Sequence, residues 1–244
     1  MQTRISIQQA LNSASKKFKK NKIKSAHLDA EILLSFILKK DKAFLYQRPD
    51  HKLTPNQLSH FQRLIVRRAK GEPIAYLTQH KEFYGLYFMV NKHVLIPRPE
   101  TELLVSQVLK NKKIKRLAEI GTGCGCIAIS LAKNNPDLKI YATEISASAL
   151  DVAKKNSFFH KTNKKIIFKK GNLLQPLKGL EFDAIVANLP YLKKNYHKSK
   201  RTAENIGLDY EPPGALYAGP TGLELYQNLF QQIQKIQFKT NYIY

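Results

Sequence analysis

The sequence predicts an α/β protein: a Rossmann-like domain built on a parallel sheet, preceded by a small all-α bundle. Three observations carry this. From Lys115 onward, short apolar runs alternate with helical patterns, as βαβ units require. A glycine loop, Gly121-Thr122-Gly123-Cys124-Gly125, sits between the first of those runs and its helix. Residues 1 to about 70 instead show helical spacing and helix-start signals only.

Composition narrows the class. The chain has 244 residues and is 43% hydrophobic, enough for one large domain or a small domain plus a medium one. No run of 18 apolar residues occurs, so no membrane span is expected, and the N-terminus lacks the apolar stretch of a signal peptide. Its two cysteines, Cys124 and Cys126, stand too close for an ordinary disulfide, which fits a reducing cytoplasm. The seven histidines show no ligand spacing, and no metal site is expected. The formal charge of +23 suits a phosphate-bearing partner. Lysine outnumbers arginine, however, and Asn and Ile are frequent, so compositional bias with solvated lysines is the favoured reading of most of it.

In chain order, Ser6 to Phe18 reads as a first helix. Ser25 is a plausible cap for a second, Ala26 to Lys39, apolar around much of its circumference. Thr54-Pro55 is a strong helix start, followed by Leu58, Phe61, Ile65 and Ala69 on one face until Gly71-Glu72-Pro73. The Phe83 to Val90 stretch reads as a hairpin around Gly85, and Val94-Leu95-Ile96 as another short strand. Strands follow at Arg116–Ile120, Lys139–Thr143, Ile166–Phe168 and Phe182–Ala187, with helices at Cys126–Lys133, Ser146 to about Phe158, and Gly222 to about Ile236. Asn241 to Tyr244 looks like the opening of a fifth strand. The expected divisions are a helical recognition domain at 1–73, a hairpin linker at 74–99, and a sheet domain at 100–244 that lacks further C-terminal strands.

The glycine loop allows close approach of backbone to a ligand, and the helix beyond it offers free N–H groups. No Gly-Lys-Ser/Thr follows, which argues against a triphosphate loop. The pattern Glu119-Ile120-Gly121-Thr122-Gly123-Cys124-Gly125 is typical of S-adenosylmethionine loops, and the Glu119 carboxylate suits a sulfonium cation. Glu144, closing the second strand, is positioned to accept hydrogen bonds from ribose hydroxyls. Asn172 and Leu173, after the third strand, offer a polar grip and an apolar wall for adenine. Cys124 and Cys126 read as small buried residues.

The fourth strand ends in Asn188-Leu189-Pro190-Tyr191. Methyl transfer to a planar nitrogen needs its delocalised lone pair aimed at the methyl carbon, and two acceptors on its N–H bonds can orient it. The Asn188 side-chain carbonyl and the Leu189 backbone carbonyl are suitable acceptors. Pro190 fixes the turn, and the Tyr191 ring can pack on a flat substrate. No metal or strong base is required. The tetrapeptide alone specifies only some planar nitrogen.

Several further stretches are more discriminating: Leu28-Asp29-Ala30-Glu31-Ile32-Leu33-Leu34, Glu72-Pro73-Ile74-Ala75-Tyr76-Leu77, Glu82-Phe83-Tyr84-Gly85-Leu86, Val94-Leu95-Ile96-Pro97-Arg98-Pro99-Glu100-Thr101-Glu102, Glu211-Pro212-Pro213-Gly214-Ala215-Leu216 and Gly219-Pro220-Thr221-Gly222-Leu223. With these, nearly the whole chain resembles the S-adenosylmethionine-dependent release factor glutamine methyltransferases (PrmC/HemK). The resemblance implies a class I methyltransferase domain and methylation of the glutamine side chain in the Gly-Gly-Gln motif of peptide chain release factors. It implies a cofactor site at Gly121 to Gly125, Glu144, Leu173 and Asn188, and a substrate motif, N-P-P-Y, at Asn188 to Tyr191. A cytoplasmic monomer acting on a protein substrate is expected; direct nucleic-acid binding is weighed and not favoured.

Two departures stand out. Leu189 replaces the motif's first proline, giving N-L-P-Y, the form also used by rRNA adenine dimethyltransferases. Lys193, Lys194, Lys198, Lys200 and Arg201 follow it and suit a nucleic-acid substrate. Those enzymes, however, place the glycine loop near the N-terminus and the helical domain after it, the reverse of the order here. The early end of the sheet also raises a third reading, a non-catalytic S-adenosylmethionine-binding protein.

Overall fold

The computed structural model describes residues 5–194, 196, 205–236 and 238–244. They divide into two units. One holds residues up to Gln79 together with residues 205–210; the other holds His80–Tyr196 and Glu211–Tyr244. Lys198, Lys200 and Arg201 lie outside the described residues. No described helix is long and apolar enough to cross a membrane.

The first unit is helical. Helix α1 (Ile7–Lys20) begins with a capping box between Ser6 and Gln9, and buries Ile7, Ala10, Leu11, Ala14 and Phe18 along one face. Helix α2 (Ala26–Leu38) is preceded by Ser25, but Ser25 lacks the extended cap backbone and makes no side-chain cap bond, correcting the expectation for that residue. Two short helices escaped the sequence reading: α3 (Lys42–Gln47), capped by Asp41, and α5 (Ile74–Thr78). Between them, α4 (Pro55–Ala69) starts where expected, with Thr54 and Gln57 forming a reciprocal cap. Phe18, Leu33, Leu34 and Phe61 join one apolar core. Asp29, buried on α2, accepts from Arg68 Nε at 2.7 Å, and Glu31 accepts from the Tyr46 hydroxyl and pairs with His27. The acidic residues of the Leu28–Leu34 stretch are thus helix-to-helix ties.

The second unit opens with the antiparallel hairpin β1 (His80–Phe83) and β2 (Leu86–Met89). Val94–Ile96 is not a strand, contrary to expectation. Its Val94 N–H donates to Asn91 O at 3.1 Å and its Ile96 N–H to the Glu211 carboxylate at 3.0 Å, which withdraws both amides from strand pairing. A 3-10 turn at Pro99–Thr101 leads into α6 (Glu102–Lys110). Then come β3 (Arg116–Ile120), α7 (Cys126–Asn134), β4 (Lys139–Glu144), α8 (Ala147–Phe159), β5 (Ile166–Lys170), β6 (Ala184–Ala187), β7 (Leu192–Lys193), β8 (Tyr217–Gly219), α9 (Glu224–Lys235) and β9 (Tyr242–Ile243).

The main sheet among the described residues has the order β5-β4-β3-β6-β9, and every pairing in it is parallel. Buried on both faces, β6 is a continuous apolar run, and β3 is apolar except for Arg116 at its start and Glu119. The chain moves outward from β3 through β4 to β5, then returns to place β6 on the other side of β3. That reversal is the switch point at which such sheets bind ligands. The strand Asn241 to Tyr244 was expected to open is β9, which pairs with β6.

Candidate active site

Ile120 ends β3 and Ala187 ends β6, and the two are register partners. The glycine loop and the tetrapeptide therefore leave the sheet side by side. Gly121, Gly123 and Gly125 all take positive φ, at 75°, 56° and 84°, and the loop is pinned by Gly121 N–H and Thr122 N–H, which both donate to Thr143 O at 2.9 and 3.0 Å. At Gly121 the φ of 75° is what favours glycine, and a Cβ there would also crowd Leu189 Cδ2 at 3.1 Å. At Gly123 the same Cβ would meet nothing within 4 Å, leaving the loop open at its apex.

Glu119 lies on β3 with 1% of its surface exposed. One carboxylate oxygen accepts from the Thr122 hydroxyl at 2.6 Å; the other, Oε1, is buried without a hydrogen-bond partner. Burial pushes its pKa up to about 8, against the opposing pull of Thr122 and of the Ala128 backbone, with the nearby Glu144 charge adding to the rise. A fully buried carboxyl group with an orphaned oxygen is suited to a cationic or hydrogen-bond-donating ligand. Glu144 closes β4 and spans two elements: Oε2 accepts from Gly123 N–H and Oε1 from Ser146 N–H, both at 2.9 Å. It ties the loop apex to the start of α8 and keeps lone pairs for a diol. Together, the orphaned carboxylate, the open glycine apex and Glu144 fit S-adenosylmethionine.

Asn172 and Leu173 follow β5. Asn172 is exposed, whereas Leu173 is buried with φ of 50° and shares one apolar cluster with Leu189. The structure thus joins Leu173 to the tetrapeptide through packing and leaves Asn172 at the surface. Cys124 and Cys126 are buried free thiols. The hydrogen bond from Cys126 to Cys124 and burial hold the Cys126 thiol well above its ordinary pKa, which disfavours reactivity.

At the tetrapeptide, Asn188 Nδ2 donates to Thr101 Oγ1 at 2.9 Å, which leaves the carboxamide oxygen for another donor. Leu189 is 4% exposed, and its N–H donates to the Tyr226 hydroxyl at 3.2 Å. Pro190 is half-buried. The Tyr191 ring is 64% exposed and free to meet a substrate. Beyond it, β7 pairs with β8, and the chain passes so near Gly222 that a Cβ there would sit 2.5 Å from Tyr191 O. The Gly219-to-Leu223 stretch is therefore the bed on which the tetrapeptide rests.

Four residues that sequence reasoning did not assign complete this arrangement. Arg98 donates to Glu211 Oε1 at 2.6 Å and to Ile96 O at 3.0 Å. Glu211, 5% exposed, also receives Ile96 N–H. Thr101 follows in the same segment and holds Asn188. Asn156, fully buried on α8, accepts from Met89 N–H at 2.8 Å and donates to Met89 O and to Cys124 O at 3.0 and 2.9 Å. It fixes the glycine loop to the hairpin. The signal that could have found it is an asparagine in the interior of a helix, where that residue has little local reason to be.

The chain has clear relatives. A family model described as the PrmC N-terminal domain matches residues 9–78, and one described as the methyltransferase small domain matches residues 99–207. The release factor glutamine methyltransferase of Koribacter versatilis is 37% identical over 234 residues, covering 94% of this chain and 81% of that protein. That of Dictyoglomus turgidum is 38% identical over 88% of this chain and 78% of its own length. The bifunctional methyltransferase of Rickettsia conorii is 37% identical, but this chain spans only 47% of it. Among solved structures, the hMettl16 catalytic domain in complex with a 3'UTR hairpin superposes with a TM-score of 0.52 at 16% identity, over 86% of this chain and 74% of that one, a likeness of fold.

Proposed function

This chain belongs to the release factor glutamine methyltransferase family, and we propose that it methylates the side-chain amide nitrogen of the glutamine in the Gly-Gly-Gln motif of peptide chain release factors. It is an S-adenosylmethionine-dependent methyltransferase. When bound, the cofactor supplies an electrophilic methyl group on a sulfonium sulfur. In our reading Glu119, the Gly121–Gly125 loop, Glu144 and Leu173 hold it, with Asn172 at the rim.

The single observation that carries the reading is the pair of carbonyl acceptors beside the glycine loop. Asn188 Oδ1 and Leu189 O receive the two N–H bonds of the substrate carboxamide. Held in this way, the nitrogen turns its lone pair toward the methyl group, and both acceptors gain strength as positive charge develops on nitrogen. The nitrogen then releases one proton to water, so no protein base is called for. Tyr191 packs on the flat amide, and Pro190 keeps the turn rigid. The helical unit serves recognition of the release factor, and the protein acts as a monomer in the cytoplasm.

Leu189 favours a second reading, an adenine nitrogen of RNA or DNA. The order of the parts, helical unit first and glycine loop second, opposes it. A methyl-transfer assay with a release factor and ribosomal RNA as competing acceptors separates the two. Label is expected in the release factor, lost with Asn188→Ala and lost when the acceptor glutamine is replaced by alanine. Label in the RNA would overturn the proposal. Cofactor binding in calorimetry without transfer to either acceptor would support the non-catalytic reading instead.

A further inference from the structure

We propose that Tyr226 is a positioning residue for methyl transfer: its hydroxyl captures the Leu189 N–H, approaches the Leu189 carbonyl, and so fixes the backbone of Leu189 and the direction of the carbonyl that receives the substrate amide. The inference deepens the proposed function and rests on it for its kinetic readout.

The observations converge on one residue, Leu189, whose N–H and C=O belong to the two successive peptides of the turn. Leu189 is buried, so its N–H needs an acceptor within the protein. No strand supplies one, because β6 has ended at Ala187. Tyr226 Oη, carried on α9 and half-buried, accepts that N–H at 3.2 Å and approaches Leu189 O at 3.5 Å as donor. Burial of the ring and the neighbouring Tyr191 keep the phenol protonated across the neutral range, so both bonds are open to it. On the other side, the Leu189 side chain packs on Gly121 of the glycine loop. Leu189 is thus held between the loop, through its side chain, and the phenol, through its backbone, and a change in its φ or ψ would cost a contact.

Leucine makes this capture necessary. A proline, as the family motif N-P-P-Y has in this position, brings no N–H to satisfy. With leucine, the turn acquires a buried donor, and Tyr226 meets it. The phenol does not reach the substrate in this scheme; it acts through Leu189.

The test combines a structural and a kinetic readout on the full chain. In Tyr226→Phe, NMR hydrogen exchange at the Leu189 amide is expected to accelerate about tenfold or more, with the other sheet amides unchanged. The turnover number for release-factor methylation is expected to fall roughly tenfold to a hundredfold, the usual scale for a misplaced positioning group, with cofactor affinity nearly unchanged and the thermal midpoint lowered by only the few degrees that one stranded buried amide costs. In a Leu189→Pro background, which has no N–H to capture, the same Tyr226→Phe change should cost no more than about threefold. Unchanged Leu189 exchange overturns the inference whatever the activity. So does an equal kinetic loss in both backgrounds. If the native chain methylates no release factor, the proposed function fails, while the exchange measurement still judges the Tyr226 contact.

Discussion

Arg98 and Glu211 are 113 residues apart in the chain, and their side chains meet at 2.6 Å with the glutamate almost wholly buried. The guanidinium and the Ile96 N–H occupy different oxygens of one carboxylate, so the Pro97–Thr101 segment is anchored at its start by charge and at its end by the Thr101–Asn188 bond. Removing Glu211 strands a cation and a buried amide together. Glu211→Ala is expected to lower unfolding free energy by about 3 kcal/mol in urea titration, the range for breaking a buried pair. Arg98→Ala should cost less, because Ile96 N–H keeps its acceptor.

Thr101 is expected to govern Asn188 more than stability. Thr101→Val keeps the shape and removes the hydroxyl that accepts from Asn188 Nδ2. Turnover should fall by about tenfold as the carboxamide loses its fixed orientation, while calorimetry shows unchanged cofactor affinity. Thr101→Ser should restore most of the rate.

The buried Glu119 makes the protein without cofactor sensitive to pH. Its carboxyl titrates at about 8 in the folded chain against an ordinary 4.5, so the folded state binds the extra proton between those values. Stability therefore declines as pH rises from about 4.5 to about 8, and Glu119→Gln should flatten that slope in a series of thermal melts. A cationic ligand favours the ionised form, so cofactor binding at pH 7 should release a proton. Calorimetry in buffers of different ionisation enthalpy reads that proton directly.

Asn156 should couple the hairpin to cofactor binding. Asn156→Ala leaves Cys124 O unsatisfied in the interior and takes the partner from the N–H and O of Met89, which is partly exposed. A loss of about 3 kcal/mol in chemical unfolding is expected, at roughly 1 to 3 kcal/mol per stranded group. Because Cys124 belongs to the glycine loop, cofactor affinity should weaken as well, by calorimetry.

Much of the fold could be read along the chain because its signals are local. Apolar runs of strand length, the Thr54-Pro55 helix start and glycines beside a helix beginning each depend on neighbours a few residues away. The sequence likewise determined the chemistry on offer: an acidic residue before a glycine loop, a second one closing the next strand, and a carboxamide followed by a proline turn after a buried strand. Local patterns also misled where a distant partner intervened. Val94–Ile96 has strand composition, but Glu211 claims its last amide, and Ser25 has cap composition without cap geometry. Only the tertiary structure decided which residues hold that chemistry in place. Thr101 on Asn188, Arg98 on Glu211, Asn156 on Cys124 and Tyr226 on Leu189 are separated by 87, 113, 32 and 37 residues. No periodicity links such pairs, since each forms only when the tertiary fold brings segments distant in the chain together.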